Sequence, residues 1–222
     1  MSKTTCEKDL GIHIDTELNF EEHINIQTKK ARALSGMIMR TFINKSKSIL
    51  IPIFKSLIRP VLEYGNVIWH PYLRKNIDEV EKTQRNFTRN IIGMKNLEYE
   101  ERLWTLNLPS LEYRRIRGDM IEVYKILYNM YDPITTHTLF TVDTNITRGH
   151  NLKLKKVSFK TNKYKHFFTN RVVNLWNSLP EEVVYASSLN VFKNKLDYTL
   201  HYYKFLTNID IWNISELRTH RR

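Results

Sequence analysis

A single cysteine, Cys6, stands in a chain of 222 residues, so no intrachain disulfide can form. Eight histidines accompany it without a CxxC or an HExxH spacing, and no metal or resident cofactor is expected from the linear pattern. The six glycines, Gly11, Gly36, Gly65, Gly93, Gly118 and Gly149, are isolated. That excludes a GxGxxG turn and a phosphate loop. There is no Asp-Asp pair among the eight aspartates, so the paired carboxylates that hold two divalent ions in nucleotidyl transfer are missing. No GxSxG supports a nucleophile elbow. Apolar runs such as Ile49 to Phe54 are far shorter than the roughly 20 residues that span a bilayer. The opening MSKTTCEKDL has no apolar stretch of signal-peptide type. The expectation is a chain with no catalytic residues of its own and no membrane partner, in an intracellular setting, nucleus or cytoplasm.

What the chain has in excess is positive charge. Its 35 lysines and arginines against 23 acidic residues give a net charge of +12 and a pI near 9.7, the imbalance of a partner for polyanions, with nucleic acid preferred. At 41% hydrophobic residues there is enough apolar material for a core. The densest apolar stretch, Leu57 to Asn90, reads as two helices meeting at Trp69-His70-Pro71, with a kink at Arg59-Pro60. The spacing predicts further helices over 99–106 and from Ser110 to about Asn129, and a last one capped by Ser187 or Ser188. Asn19 with Glu22 and Asn76 with Glu79 are capping-box candidates, and Gly93 is placed to end a helix. Residues 8–20 alternate as a short strand, too small to make its own sheet, which either lies on the helices behind it or awaits a missing sheet. Between 144 and 180 there is no Asp or Glu but eight Lys or Arg. Leu152, Leu154 and Val157 suggest a strand there, and Phe167, Phe168, Val172 and Trp176 are assigned to a core. The fold class is mainly α, a helical bundle with a small β element in the C-terminal part. His13, His23 and His70 are read as partly buried structural residues.

Several strings occur in order along the chain: Leu10-Gly11-Ile12, Ile14-Asp15, Leu18 and His23-Ile24; Arg59-Pro60, Leu62-Glu63-Tyr64, Trp69, Pro71 and Gln84-Arg85; LPSLEYRR, GDM and YKIL; then TRGH, FF, RVVNLWNSLP and FKNKLD. From about Lys8 to Tyr198 this pattern resembles the thumb and post-thumb region of the endonuclease–reverse transcriptases of non-LTR (LINE-type) retrotransposons. The resemblance implies a remnant of the palm-to-thumb junction at 1–20, a helical thumb-like domain at 21–131 and a basic β/α region at 132–222. It also implies a fragment of an RNA-directed DNA polymerase without its palm, whose catalytic aspartates and cysteine- and histidine-rich knuckle are absent. A thumb would hold RNA, an RNA–DNA hybrid or DNA by phosphates rather than sequence. A palm domain acting in trans is a further partner.

The residues expected to touch those phosphates are Lys29, Lys30, Arg32, Arg85, Arg89, Arg114, Arg115, Arg117, Arg148, Lys153, Lys155, Lys156, Lys163 and Arg171. Aromatic residues among them, such as Phe159 and Tyr164, suit base stacking. Two other readings fit the same pattern: a helical protein-interaction module, and a decayed element without selected function.

Overall fold

The computed structural model describes residues 5–131, 138–143, 149–158 and 162–209. They form a mainly helical protein with a small antiparallel β element. Two compact units divide the chain: Met1–Arg115 with Phe205–Thr207, and Ile116–Lys204 with Asn208–Arg222. The division falls inside a helix rather than at Asp132, where the composition changes.

In the first unit, β1 (Cys6–Asp9) and β2 (Ile12–Asp15) pair antiparallel, with Cys6 opposite Asp15 and Lys8 opposite His13. Leu10 and Gly11 connect them at φ 43° and 85°, the positive values that a tight two-residue hairpin turn demands. The stretch expected to be a single strand too small for its own sheet instead forms a two-stranded one, with β1 beginning at Cys6, before the alternating residues, and it lies on the helices behind it. Ile12 is buried, the Tyr64 hydroxyl donates to the Leu10 carbonyl at 2.9 Å, and Gly65 sits against Ile12. A Cβ at Gly65 would meet Ile12 Cδ1 at 2.7 Å, and its φ of 63° is itself unfavourable for other residues.

Helix α1 (Glu21–Thr41) starts beyond the expected cap. The Asp15 carboxylate accepts the amides of Glu17, Asn19 and Phe20 at 3.0, 3.2 and 2.7 Å, and Asn19 Oδ1 takes the Glu21 amide at 2.9 Å. The expected Asn19–Glu22 capping box does not form: the N-cap is Phe20, left-handed at φ 55° and without a side-chain cap, and Asn19 makes a local turn onto Glu21 one residue earlier. His23 is fully buried against Trp69, ring centroids 5.3 Å apart, and its Nδ1 accepts the His13 amide at 3.3 Å. Burial, with His13 and Lys30 nearby, holds its imidazole down at about 4. It is a core histidine.

Helix α2 (Lys47–Ile53) widens into a π-helical turn at Phe54–Ile58 before α3 (Arg59–Glu63) and α4 (Asn66–Trp69). The expected disturbance at Arg59-Pro60 is this wide turn. Pro60 has no N–H to donate, and the Arg59 amide closes onto Phe54 instead, which leaves Pro60 in the first turn of α3. Helix α5 (Arg74–Arg89) begins before Asn76, so the Asn76–Glu79 capping box does not form. Backbone bonds from Asn76 and Ile77 to Leu73 already define the first turn, and Glu79 takes Arg32 of α1 at 2.6 Å. Helix α6 (Tyr99–Leu106) spans the anticipated residues, with a capping box between Glu98 and Glu101. Leu50, Phe54, Ile58, Leu62, Phe87 and Leu103 close the core between these helices.

Helix α7 (Leu111–Leu127) has Ser110 as its cap, Oγ accepting the Tyr113 amide at 3.1 Å. Within the second unit it packs Tyr124 against Tyr128 and Phe192, both at 4.3 Å. There the short helices α8 (Asn162–Lys165), α9 (Phe168–Arg171), α10 (Val173–Ser178) and α11 (Glu181–Val184) lead to α12 (Leu189–Thr199) and a 3₁₀ turn, His201–Tyr203. The β content of this part, among the described residues, is one bridge, Val142 to Leu154. Asn177 acts as a strand neighbour for Leu154, accepting its N–H at 2.8 Å and donating to its carbonyl at 2.9 Å. Trp176 and Val172 are core residues as expected, whereas Phe167 is exposed and Phe168 half-buried.

Candidate nucleic-acid interface

The site is built outward from a buried acid. Glu81, on the inner face of α5, accepts the Tyr99 hydroxyl at 2.5 Å and the amides of Leu111 and Glu112 at 3.2 Å each. Desolvation pushes its carboxyl up, opposed chiefly by the charge of buried Arg115. Three donors aimed at one carboxylate suit an acceptor-only group. Gln84, one turn on, donates to the Tyr99 hydroxyl at 3.2 Å and to the Pro109 carbonyl at 3.0 Å. The Tyr99 ring is thereby fixed in orientation, and burial next to Glu81 raises its hydroxyl well above the usual range.

Two guanidinium groups lie over that ring, Arg85 at 4.9 Å and Arg102 at 5.5 Å from its centroid. A cation–π interaction of this kind holds a guanidinium in place without neutralising it. Arg102 also donates to the carbonyls of Leu97 and Arg85, at 3.1 and 3.4 Å. Burial lowers its affinity for a proton, and Arg89 and Arg85 add to that. Beside these groups opens a cleft of about 740 Å³ whose cationic lining is Arg85, Arg89, Lys95 and Arg102. Glu98 and Glu100 also reach it, but Glu100 is engaged by the amide and hydroxyl of Thr207, both at 3.0 Å. Four cationic side chains on one cleft give it a positive lining suited to an anion.

The residues expected to meet phosphate separate in the structure. Arg85 and Arg89 line the cleft, and Lys29 and Lys30 are exposed on α1. Lys155 and Lys156 are exposed and Lys153 half-buried in the second unit. Five others are bound to internal carboxylates or buried. Arg32 pairs with Glu79 and Arg114 forks onto Glu63. Arg117 forks onto Asp197, and Arg115 is buried beside Glu81. Arg171 grips Asp119 with two bonds of 2.9 and 2.8 Å at 4–5% side-chain exposure. Arg148 and the Lys163 side chain lie outside the described residues. Reading the sequence missed Lys95, Arg102 and Glu81. Only Arg85 and Arg89, four apart on one helix, carry a linear signal of the cleft.

No protein-family model matches the chain, and no solved structure matches it. An uncharacterized protein from Caenorhabditis elegans is 25% identical over 126 residues, 55% of this chain and 64% of that protein. The chain thus spans about 64% of that relative's length. No helix among the described residues is long and apolar enough to cross a membrane.

Proposed function

We propose that the chain binds nucleic acid through its phosphates, as the thumb-like part of a retrotransposon-type reverse transcriptase. The observation that carries this reading is the cleft in which Arg85, Arg89, Lys95 and Arg102 stand together, two of them braced on Tyr99. A net charge of +12 and the ordered string resemblance from Lys8 to Tyr198 support it. Fluorescence anisotropy against a short RNA–DNA hybrid at several salt concentrations tests it. Replacing Arg89 and Lys95 with glutamine is expected to lower the slope of log K against log salt by about 0.7–0.9 for each phosphate that is no longer neutralised. A folded chain that fails to bind, or variants with an unchanged slope, would overturn the assignment. A second reading, a helical protein-interaction module, is favoured by Ile43, Ile92 and Trp104, which are 98%, 67% and 71% exposed.

A further inference from the structure

The chain has no linear metal motif, yet the hairpin assembles a spatial one. Its register sets Cys6 opposite Asp15 and Lys8 opposite His13, which makes Cys6 and His13 diagonal neighbours on one face. Glu22 comes from the first turn of α1. The Cys6 sulfur, a ring nitrogen of His13 and a carboxylate oxygen of Glu22 all lie within 4.8 Å of one another. Donor atoms around a tetrahedral zinc, at bond lengths of about 2.0–2.3 Å, sit roughly 3.3–3.7 Å apart. Rotamer adjustments of about an ångström would close this set. Cys6 and His13 are half-buried and Glu22 is exposed, which leaves a fourth position open to water.

The backbone carrying these donors is fixed independently of any ion. His23 holds the His13 amide, and Asp15 gathers the amides of Glu17, Asn19 and Phe20, which locks the path from β2 into α1. Charge also favours a cation here. The carboxylates of Glu22, Asp15 and Glu7 act on Cys6 as a negative field, and that field attracts a divalent ion.

We propose that Cys6, His13 and Glu22 bind a divalent transition-metal ion of the zinc class, clamping the hairpin to the start of α1. A thiolate, an imidazole and a carboxylate form the donor set that selects such an ion over magnesium or calcium. On binding, the thiol S–H bond breaks, its proton goes to solvent and a metal–sulfur bond forms, with no change in oxidation state. The two anionic ligands neutralise the ion. The site is separate from the basic cleft and does not depend on nucleic-acid binding.

Titration of the purified full chain with Co²⁺ tests the proposal, because a thiolate ligand gives a charge-transfer band that histidine or carboxylate binding elsewhere does not. The expected result is one equivalent bound, with that band and d–d bands of tetrahedral intensity. Cys6→Ser should abolish the charge-transfer band. His13→Gln and Glu22→Gln should each weaken binding by at least about tenfold, with circular dichroism unchanged. Zn²⁺ should displace the cobalt and raise the Tm of the wild type but not of Cys6→Ser. A folded wild type with no charge-transfer band at saturating Co²⁺ would overturn the site. So would a band undiminished in the His13→Gln, Glu22→Gln double variant.

Discussion

A carboxylate at 0% exposure must be surrounded by donors, and Glu81 gathers the Tyr99 hydroxyl, two backbone amides of α7 and the charge of Arg115. Removing it strands those donors in a dry interior. Glu81→Ala is expected to destabilise the chain by about 3–5 kcal/mol, read from the urea midpoint, and to loosen the ring on which Arg85 and Arg102 rest. The bidentate pair Asp119–Arg171 obeys the same asymmetry. Arg171→Gln alone should cost a similar amount, about 3–5 kcal/mol, while adding Asp119→Asn should recover part of that stability. His150 supplies a pH dependence. It is buried with Nε2 at 3.2 Å from the Trp176 carbonyl. Its imidazole is held below its ordinary value of 6.5 by desolvation first, with Lys153 adding to that and the Trp176 carbonyl and Glu181 opposing. An unfolded chain takes up a proton near 6.5 that folded His150 resists. Its contribution to stability is therefore complete above pH 6.5 and declines as pH falls through 6.5 toward the lowered value. In urea denaturation from pH 7.5 to 5, the wild type should lose more stability than His150→Gln. Parallel curves would refute this.

Among the helices, Pro52 is the residue that fits its element least. It lies exposed inside α2, where its ring removes the backbone bond that Ser48 would otherwise accept. Pro52→Ala is expected to stabilise the chain by about 1–3 kcal/mol, less whatever the proline contributes by restricting the unfolded state. A fall in the urea midpoint would show that the π turn after α2 needs the proline. At the other end, Ser188 accepts the Val191 amide at 3.3 Å as the cap of α12, and Ser188→Ala should cost about 1 kcal/mol. Elements with local signals are the legible ones. The bounds of α6 follow from Glu98 and Glu101 at one end and Asn107, left-handed at φ 46°, at the other. The start of α5 is not legible, because Asn76 and Glu79 imitate a cap, whereas the helix has already begun at Arg74 and Glu79 pairs with Arg32 of α1. The cleft is half legible. Arg85 and Arg89 share a helix face, whereas Lys95 and Arg102 join them only through the packing of α6 on α5. Nor can spacing reveal that Arg117 meets Asp197, 80 residues away.

Across the whole molecule, the count of 35 lysines and arginines overstates the cations available to a polyanion, because the structure commits Arg32, Arg114, Arg117 and Arg171 to carboxylates. Two kinds of arginine should therefore respond oppositely. Arg114→Gln is expected to lower stability while leaving the salt slope of hybrid binding unchanged, and Arg89→Gln to lower the slope by about 0.7–0.9 with stability intact. Anisotropy and denaturation on the same samples would separate them, and a slope that fell with Arg114→Gln would contradict the division. The buried acid of α5 has one more consequence, for hydrogen exchange. First-turn amides of a helix have no intrahelical acceptor and ordinarily trade their hydrogens for deuterium quickly. Those of Leu111 and Glu112 are tied to a carboxylate from another helix, itself sealed from water. They should exchange among the slowest in the first unit, released only when α5 and α7 part, which makes two helix-start amides reporters of its global opening.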